Sequence, residues 1–331
     1  MTLHPALRGY LDQLNPLIEQ AAAAGVMPTP ESARAALAGL NQFAAPAKPI
    51  AVVEDRVIAD VPVRVYDPSP EVASDVIYFI HGGGHMAGDL DVYDYSARRL
   101  ADAAQMIVVS VDYPRSPEAP YPQGLEETYR VLQALPGALP DLETTGAIHA
   151  FADSGGGAKL ASIAQRVARG EWTSPIDRQV LLYPSLDYTM SGESLETFGN
   201  GYFLSAERVG WYFDHYFPEG SDRVAASPAF GPFDAEMPRT LVIAAEYDPL
   251  LSEAVDYASR ASAAGAPMDL LVAPGMIHAF AFFGGVPQSV LYDNDRCLVA
   301  RILPDGTRKR ATLFSGFLSH YFIHDRYGRP G

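Results

Sequence analysis

The stretch Ala150-Phe151-Ala152-Asp153-Ser154-Gly155-Gly156-Gly157-Ala158-Lys159-Leu160 constrains the fold more than any other part of this chain. An apolar run over 147–152 ends at a serine set among small residues, and a helical pattern follows over 158–168. A strand that turns sharply into a helix needs small neighbours, because a bulky side chain at the turn would collide with it. In that geometry Ser154 Oγ stands clear of the backbone on strained dihedrals. The Gly155 amide then faces the same space at the helix N-terminus, where negative charge is favoured. The pattern is that of a nucleophile elbow, G-x-S-x-G, with Ala152 in place of the first glycine.

The surrounding chain has the rhythm such a turn requires. Val76-Ile77-Tyr78-Phe79-Ile80 is a continuous apolar strand, and further strands read over 106–111, 179–183, 240–245 and 268–272. Helical patterns separate them, over 93–104, 121–135 and 252–264. Uninterrupted Val/Ile/Leu runs alternating with helices imply parallel strands buried on both faces, an α/β fold. Ahead of this core, 52–59 and 61–66 read as an antiparallel hairpin turning at Ala59-Asp60. Residues 4–24 form an amphipathic helix containing Pro16, and Thr29-Pro30-Glu31 opens a second, with Thr29 as N-cap and Pro30 at its first position.

Two segments break the rhythm. Residues 190–235 are crowded with aromatics and longer than a simple crossover, so they read as a helical lid over the C-terminal strand ends. For any single one of these aromatics, core packing is the plainer role. Together, Phe198, Tyr202, Phe203 and Trp211, with His85, are the candidate substrate contacts, and the N-terminal helices are expected to join the same lid. The chain therefore divides into N-terminal cap helices (1–46), a core (47–189 and 236–285), a cap insertion (190–235) and a closing segment (286–331). That closing segment carries a net charge of +3 against −19 for the rest, and Leu303-Pro304-Asp305-Gly306 reads as a hairpin turn within it.

Candidate chemistry clusters at strand ends. His81-Gly82-Gly83-Gly84 follows a buried strand, and three successive glycines let backbone amides approach a ligand without Cβ interference. A phosphate loop would need the lysine, the Ser/Thr or the G-x-G-x-x-G spacing missing here, so an oxyanion loop is the better reading. A serine needs a base, and a base needs an orienting acid. His278, on a loop expected just past the last strand, is the candidate base. Asp248, in Glu246-Tyr247-Asp248-Pro249-Leu250, is the candidate acid, with Glu246 as its competitor. Asp153 is expected to face structure beneath the elbow and Asp187 to serve a turn. His320 and His324 are spaced i, i+4 but lack the glutamate and third ligand of a zinc site, so no metal and no cofactor is implied.

Charge and composition exclude other classes. A net charge of −16 argues against nucleic acid or an anionic membrane as partner. The single cysteine, Cys297, rules out an intramolecular disulfide. No basic-then-apolar leader and no membrane-length apolar run is visible, so a cytoplasmic location is the expectation.

These residues resemble the bacterial hormone-sensitive-lipase-like (family IV) esterases of the α/β-hydrolase superfamily, in the branch with G-D-S-A-G at the serine. His81–Gly84 matches that family's H-G-G-G, and Asp112-Tyr113-Pro114-Arg115-Ser116-Pro117-Glu118 is similar to its D-Y-R-L-A-P-E. Tyr183–Asp187, Glu246–Leu250 and Gly275–Phe280 resemble its Y-P-x-x-D, E-x-D-P-L and G-M-I-H-G-F. The resemblance covers residues 25–285. It implies a core of about eight mostly parallel strands under a helical cap, with the triad order Ser154, Asp248, His278. It also implies oxyanion donors at Gly83, Gly84 and Gly155, no cofactor, and hydrolysis of short-acyl carboxylic esters. Amidases and deacetylases share the fold, and a receptor without turnover could be built on it. The family's closing helix often supports a homodimer, the assembly the resemblance implies, whereas this chain reads as hairpin-like and basic after Gly285.

Overall fold

The computed structural model describes residues 2–43 and 49–280, together with the strand segments 289–292, 299–302, 308–310 and 324–327. Its centre is an eight-stranded sheet in the order β1-β2-β4-β3-β5-β6-β7-β8. These strands are β1 (Val52–Ile58), β2 (Val61–Asp67), β3 (Ser74–Ile80), β4 (Ile107–Val111), β5 (Thr144–Asp153), β6 (Ile176–Leu182), β7 (Arg239–Tyr247) and β8 (Met268–Ile277). β1 and β2 form the expected hairpin, in register from Val52↔Asp67 to Ile58↔Val61. Ala59 and Asp60 turn it with φ of 50° and 64°, the left-handed pair that matches strand twist. The hairpin and the β2–β4 pair are antiparallel, and every other pairing within this sheet is parallel.

Alternation along β3 shows why its sequence is apolar throughout. Ile77 and Phe79 point into one core layer, while Val76, Tyr78 and Ile80 point into the other. The first layer is closed by α1 (Pro5–Ala23) and α3 (Asp94–Ala104), through Leu7, Leu11, Ala97 and Leu100. The second is closed by α4 (Gln123–Ala138), α5 (Ser154–Ala168) and α9 (Leu251–Ala263), through Leu132, Leu135, Leu160, Ile163 and Tyr257. A strand covered on both faces buries each side chain, at about 1.5–3 kcal/mol for each large aliphatic one.

α2 (Pro30–Gly39) begins as expected, with the Thr29 hydroxyl accepting from Ser32 N–H at 3.2 Å behind Pro30. Its Arg34 docks the helix on the loops below: Nε donates to Met86 O at 3.0 Å, and Nη1 and Nη2 grip Glu118 at 3.0 and 2.6 Å. Between β6 and β7 lie α6 (Ser194–Phe198), α7 (Ala206–Tyr216) and α8 (Arg223–Ala226). Tyr188, Val209, Phe213, Tyr216 and Phe217 form a core of their own there.

Two boundaries differ from expectation. α5 starts at Ser154 rather than Ala158, because the glycines can take helical dihedrals even though they give no helical periodicity. β8 runs through Pro274-Gly275 to Ile277 instead of ending near Val272. Gly275 bulges at φ 73°, its N–H donating to Glu246 Oε2 at 2.7 Å and its carbonyl accepting from His4 N–H at 2.9 Å. Pairing therefore resumes beyond the bulge, at Tyr247↔Ile277. In the closing segment, Val299–Ile302 pairs antiparallel with Arg308–Arg310, as a hairpin requires, and the turn residues lie outside the described residues. So does His320.

Candidate active site

Ser154 sits where β5 turns into α5, with φ at 49°. A non-glycine residue held there costs about 1–3 kcal/mol, which the surrounding packing must offset. Gly156 makes the turn possible: a Cβ on it would run into the carbonyl oxygens of Ile80 and His81 at the end of β3. Helix α5 can approach the sheet this closely only without that methyl.

The loop after β3 curls back toward the same point. Gly83, Gly84 and His85 have φ of 106°, 61° and 63°, and Gly83 O accepts from Ala87 N–H at 2.8 Å to close the turn. A Cβ on Gly84 would lie 2.6 Å from the Tyr212 ring, which covers the loop from α7. The Gly83 and Gly84 amides donate to no described residue. Gly155, in the first turn of α5, has no intrahelical acceptor either. A methyl placed on Gly155 would lie 3.1 and 3.4 Å from the His85 and Gly84 backbone nitrogens, so the loop after β3 and the start of α5 close on each other beside Ser154.

His278 and Asp248 complete the group from the ends of β8 and β7. Ser154 Oγ lies 3.0 Å from His278 Nε2, and His278 Nδ1 lies 2.8 Å from Asp248 Oδ2. Leu250 N–H donates to Asp248 Oδ1 at 2.9 Å, so both carboxylate oxygens are held. Asp248 is 1% and His278 5% exposed, which keeps water from competing for the bond between them. With Nδ1–H donated to the carboxylate, Nε2 is left as acceptor toward the serine hydroxyl. Glu246, the competing acid, is turned away and accepts from Gly275 N–H.

Other charged candidates fall into supporting places. Asp153 accepts from Gly82 N–H at 2.7 Å and from Tyr93 OH at 3.1 Å, tying the loop to the elbow from beneath, as expected. Burial pushes its carboxyl up to about 7. Asp187 accepts from the amides and hydroxyls of Thr189 and Ser191 at 2.6–2.9 Å, the expected turn role. His81 is sandwiched between the rings of Tyr93 and Tyr113, and burial drops its pKa to about 3, so it stays neutral.

A cavity of about 630 Å³ opens above Ser154 and His278. Its walls come mainly from the N-terminal helices (Tyr10, Leu14, Leu37, Leu40) and from α7 and its approach (Phe203, Val209, Tyr212, Phe213). Of the five candidate substrate contacts, His85 and Phe203 line it and Phe198, Tyr202 and Trp211 do not. Phe198 and Tyr202 pack on each other and on Tyr247, with ring centroids 5.4–5.5 Å apart. Trp211 packs along α7 against Tyr212, His215 and the Arg208 guanidinium. Sequence spacing gave no sign of Tyr212, which faces the loop one residue further along the helix. Among the described residues, no cluster of His, Cys, Asp and Glu could hold a metal, and no helix is long and apolar enough to cross a membrane.

Strand order, a serine elbow on β5 and an acid and a histidine ending β7 and β8 define an α/β hydrolase. The family described by the alpha/beta hydrolase fold matches residues 77–282, and the chain belongs to it, in the hormone-sensitive-lipase-like branch its motifs resemble. It is 34% identical over 235 residues to the carboxylic ester hydrolase LipN of Mycobacterium tuberculosis, an alignment covering 67% of this chain and 61% of LipN. With the ethyl acetate hydrolase of Pseudomonas putida it shares 30% identity over 234 residues, 68% of this chain and 73% of that one. Among solved structures, a hyperthermophilic esterase from Pyrobaculum calidifontis superposes with a TM-score of 0.74 at 32% identity, covering 86% of this chain and 92% of the other.

Proposed function

We propose that the protein is a serine carboxylesterase that hydrolyses short-acyl carboxylic esters through an acyl-enzyme. The observation that carries this reading is the unbroken run Ser154 Oγ–His278 Nε2–Asp248 Oδ2, at 3.0 and 2.8 Å, opening into an apolar cavity. Ser154 attacks the ester carbonyl while His278 Nε2 takes its proton and Asp248 stabilises the imidazolium. Negative charge gathers on the carbonyl oxygen, where the amides of Gly83, Gly84 and Gly155 receive it. One such donor is worth about 2.7–4 kcal/mol in the transition state. His278 then protonates the leaving alcohol, and water, deprotonated by the same nitrogen, releases the acid. Residues 47–189 and 236–285 form the catalytic core in this reading, and 1–46 and 190–235 the cap.

Two further facts support the substrate class. The cavity wall is mostly aliphatic and aromatic, suited to the uncharged body of an ester. Relatives at 30% and 28% identity carry the names ethyl acetate hydrolase and acetyl esterase. The test is hydrolysis of p-nitrophenyl esters from acetate to decanoate by the wild type and by Ser154→Ala. Turnover that peaks at short acyl chains and falls at least about a thousandfold in the variant is expected. Substantial turnover by a folded Ser154→Ala would overturn the assignment.

A further inference from the structure

Lys159 lies on α5, five residues past Ser154, and is 1% exposed. Among the described residues no carboxylate pairs with it. Its Nζ meets His85 Nδ1 at 2.7 Å, and it rests over the Tyr113 and Tyr216 rings at 4.2 and 5.1 Å from their centroids. An ammonium sealed in an aromatic box without a counterion is costly to keep, so ordinary packing does not account for it. His85 links it to the site. The imidazole stacks flat on Tyr216 at 3.9 Å, its Nε2 lies 3.3 Å from Tyr188 OH, and the residue lines the cavity beside Ser154. Lysine donates to Nδ1, which sets the proton of the neutral ring on Nε2, facing the tyrosine oxygen.

The elbow's own departure from the G-x-S-A-G pattern fits this arrangement. A methyl on Gly155 would lie 3.1 Å from the His85 backbone nitrogen, so the glycine leaves room for the loop at His85. We infer that Lys159 is a positioning residue of the oxyanion loop. Through His85 it fixes the left-handed backbone that presents the loop amides to Ser154, and it sets a buried positive charge behind the spot where negative charge develops. This rests on the esterase reading above.

The groups touching Lys159 are His85, Tyr113 and Tyr216, with Tyr188 on the far nitrogen of His85; at longer range Lys159 acts on His81, Asp153 on Tyr113 and Glu253 on Tyr188. Burial raises the three phenols and lowers the imidazole, and it lowers Lys159 to about 7. Asp153, beneath the elbow, is also brought to about 7. Of the groups touching His85, the one that exchanges its proton near neutrality is the lysine, whose charge is present below that pH and lost above it.

The chain holds three lysines, Lys48, Lys159 and Lys309, so side-chain NMR of 13C,15N-lysine-labelled protein resolves Lys159 directly. A Lys48→Arg/Lys309→Arg variant, in which Lys159 is the one lysine left, assigns its signal. The probe is an alkyl trifluoromethyl ketone. Ser154 Oγ bonds to its carbonyl carbon, the π pair moves to the oxygen, and the hydroxyl proton passes to His278. Binding is reciprocal, so an oxyanion that Lys159 stabilises must raise the lysine's proton affinity, by about tenfold, or one pH unit. A Lys159 titration unmoved by a formed adduct would overturn the inference, whereas failure to form the adduct would overturn the esterase reading beneath it. Lys159→Met gives the kinetic counterpart. At pH 6 its kcat should fall about tenfold with KM little changed, and the deficit should shrink toward pH 9 as the wild type loses its charge. A folded Lys159→Met with the wild-type pH profile would refute the role equally.

Discussion

Asp248→Asn separates the two acids at the end of β7, and its effect can be worked out from the hydrogen bonds. Leu250 N–H donates to Oδ1 at 2.9 Å and His278 Nδ1 lies against Oδ2 at 2.8 Å. An asparagine satisfies Leu250 only by turning its carbonyl there, which aims its NH₂ at Nδ1. Nδ1 must then accept, and the ring proton shifts to Nε2, facing Ser154 Oγ at 3.0 Å. A histidine in that tautomer cannot take the serine proton. The opposite flip sets NH₂ against the Leu250 N–H in a site where residue 248 is 1% exposed, stranding a buried donor at about 1–3 kcal/mol. The imidazolium also loses its counterion. The expected loss is about 10⁴ in kcat, or about 5.5 kcal/mol, the scale of a triad with the wrong tautomer. Glu246→Gln is the control, because a glutamine oxygen accepts from Gly275 N–H as the glutamate does, and kcat should stay within about threefold. The assay is steady-state p-nitrophenyl acetate hydrolysis at pH 7.5, with circular-dichroism melting to show that both variants fold. An Asp248→Asn that keeps a tenth of its kcat, or a Glu246→Gln that loses as much, would refute the reasoning.

Gly84→Ala must place a methyl at φ 61°, 2.6 Å from the Tyr212 ring, so the loop has to shift. Steady-state kinetics should show kcat down about 10²–10³ with KM little changed, the signature of a lost oxyanion donor. Asp153 gives a pH dependence of stability. Its folded pKa of about 7 exceeds the unfolded value, so its favourable contribution is full below about pH 4 and is lost as pH rises through 7. The unfolding free energy of the wild type from urea titration should therefore decline relative to Asp153→Asn between pH 4 and 8, by on the order of 4 kcal/mol. A difference independent of pH would contradict that burial cost.

Much of the site was legible because it obeys local rules. Small residues around Ser154, three glycines after an apolar strand, and an acid and a histidine after later strands each reflect a short-range backbone demand. The fold followed from the same punctuation, since apolar runs divided by helical patterns leave few alternatives to a parallel sheet. What stayed hidden depends on contacts distant in sequence. Lys159 looks like an ordinary residue of a helical repeat until Tyr216, from a helix 57 residues on, closes the box around it. Trp211 and Tyr212 are adjacent on one helix, and only its rotation against Gly84 decides that the tyrosine faces the site. The bulge at Gly275 extended β8 past a Pro-Gly pair that reads as a terminator, because Glu246 across the sheet supplies the acceptor its amide needs.

The most direct test of the central claim is covalent. Diethyl p-nitrophenyl phosphate reacts with a serine whose proton a neighbouring base can take, and intact-mass spectrometry with peptide mapping locates the product. The expected result is one diethylphosphoryl group, on Ser154, with one equivalent of p-nitrophenolate released and ester hydrolysis abolished. An unmodified protein, or a group on another residue while ester turnover continues, would contradict the assignment of Ser154, His278 and Asp248 as the catalytic machinery.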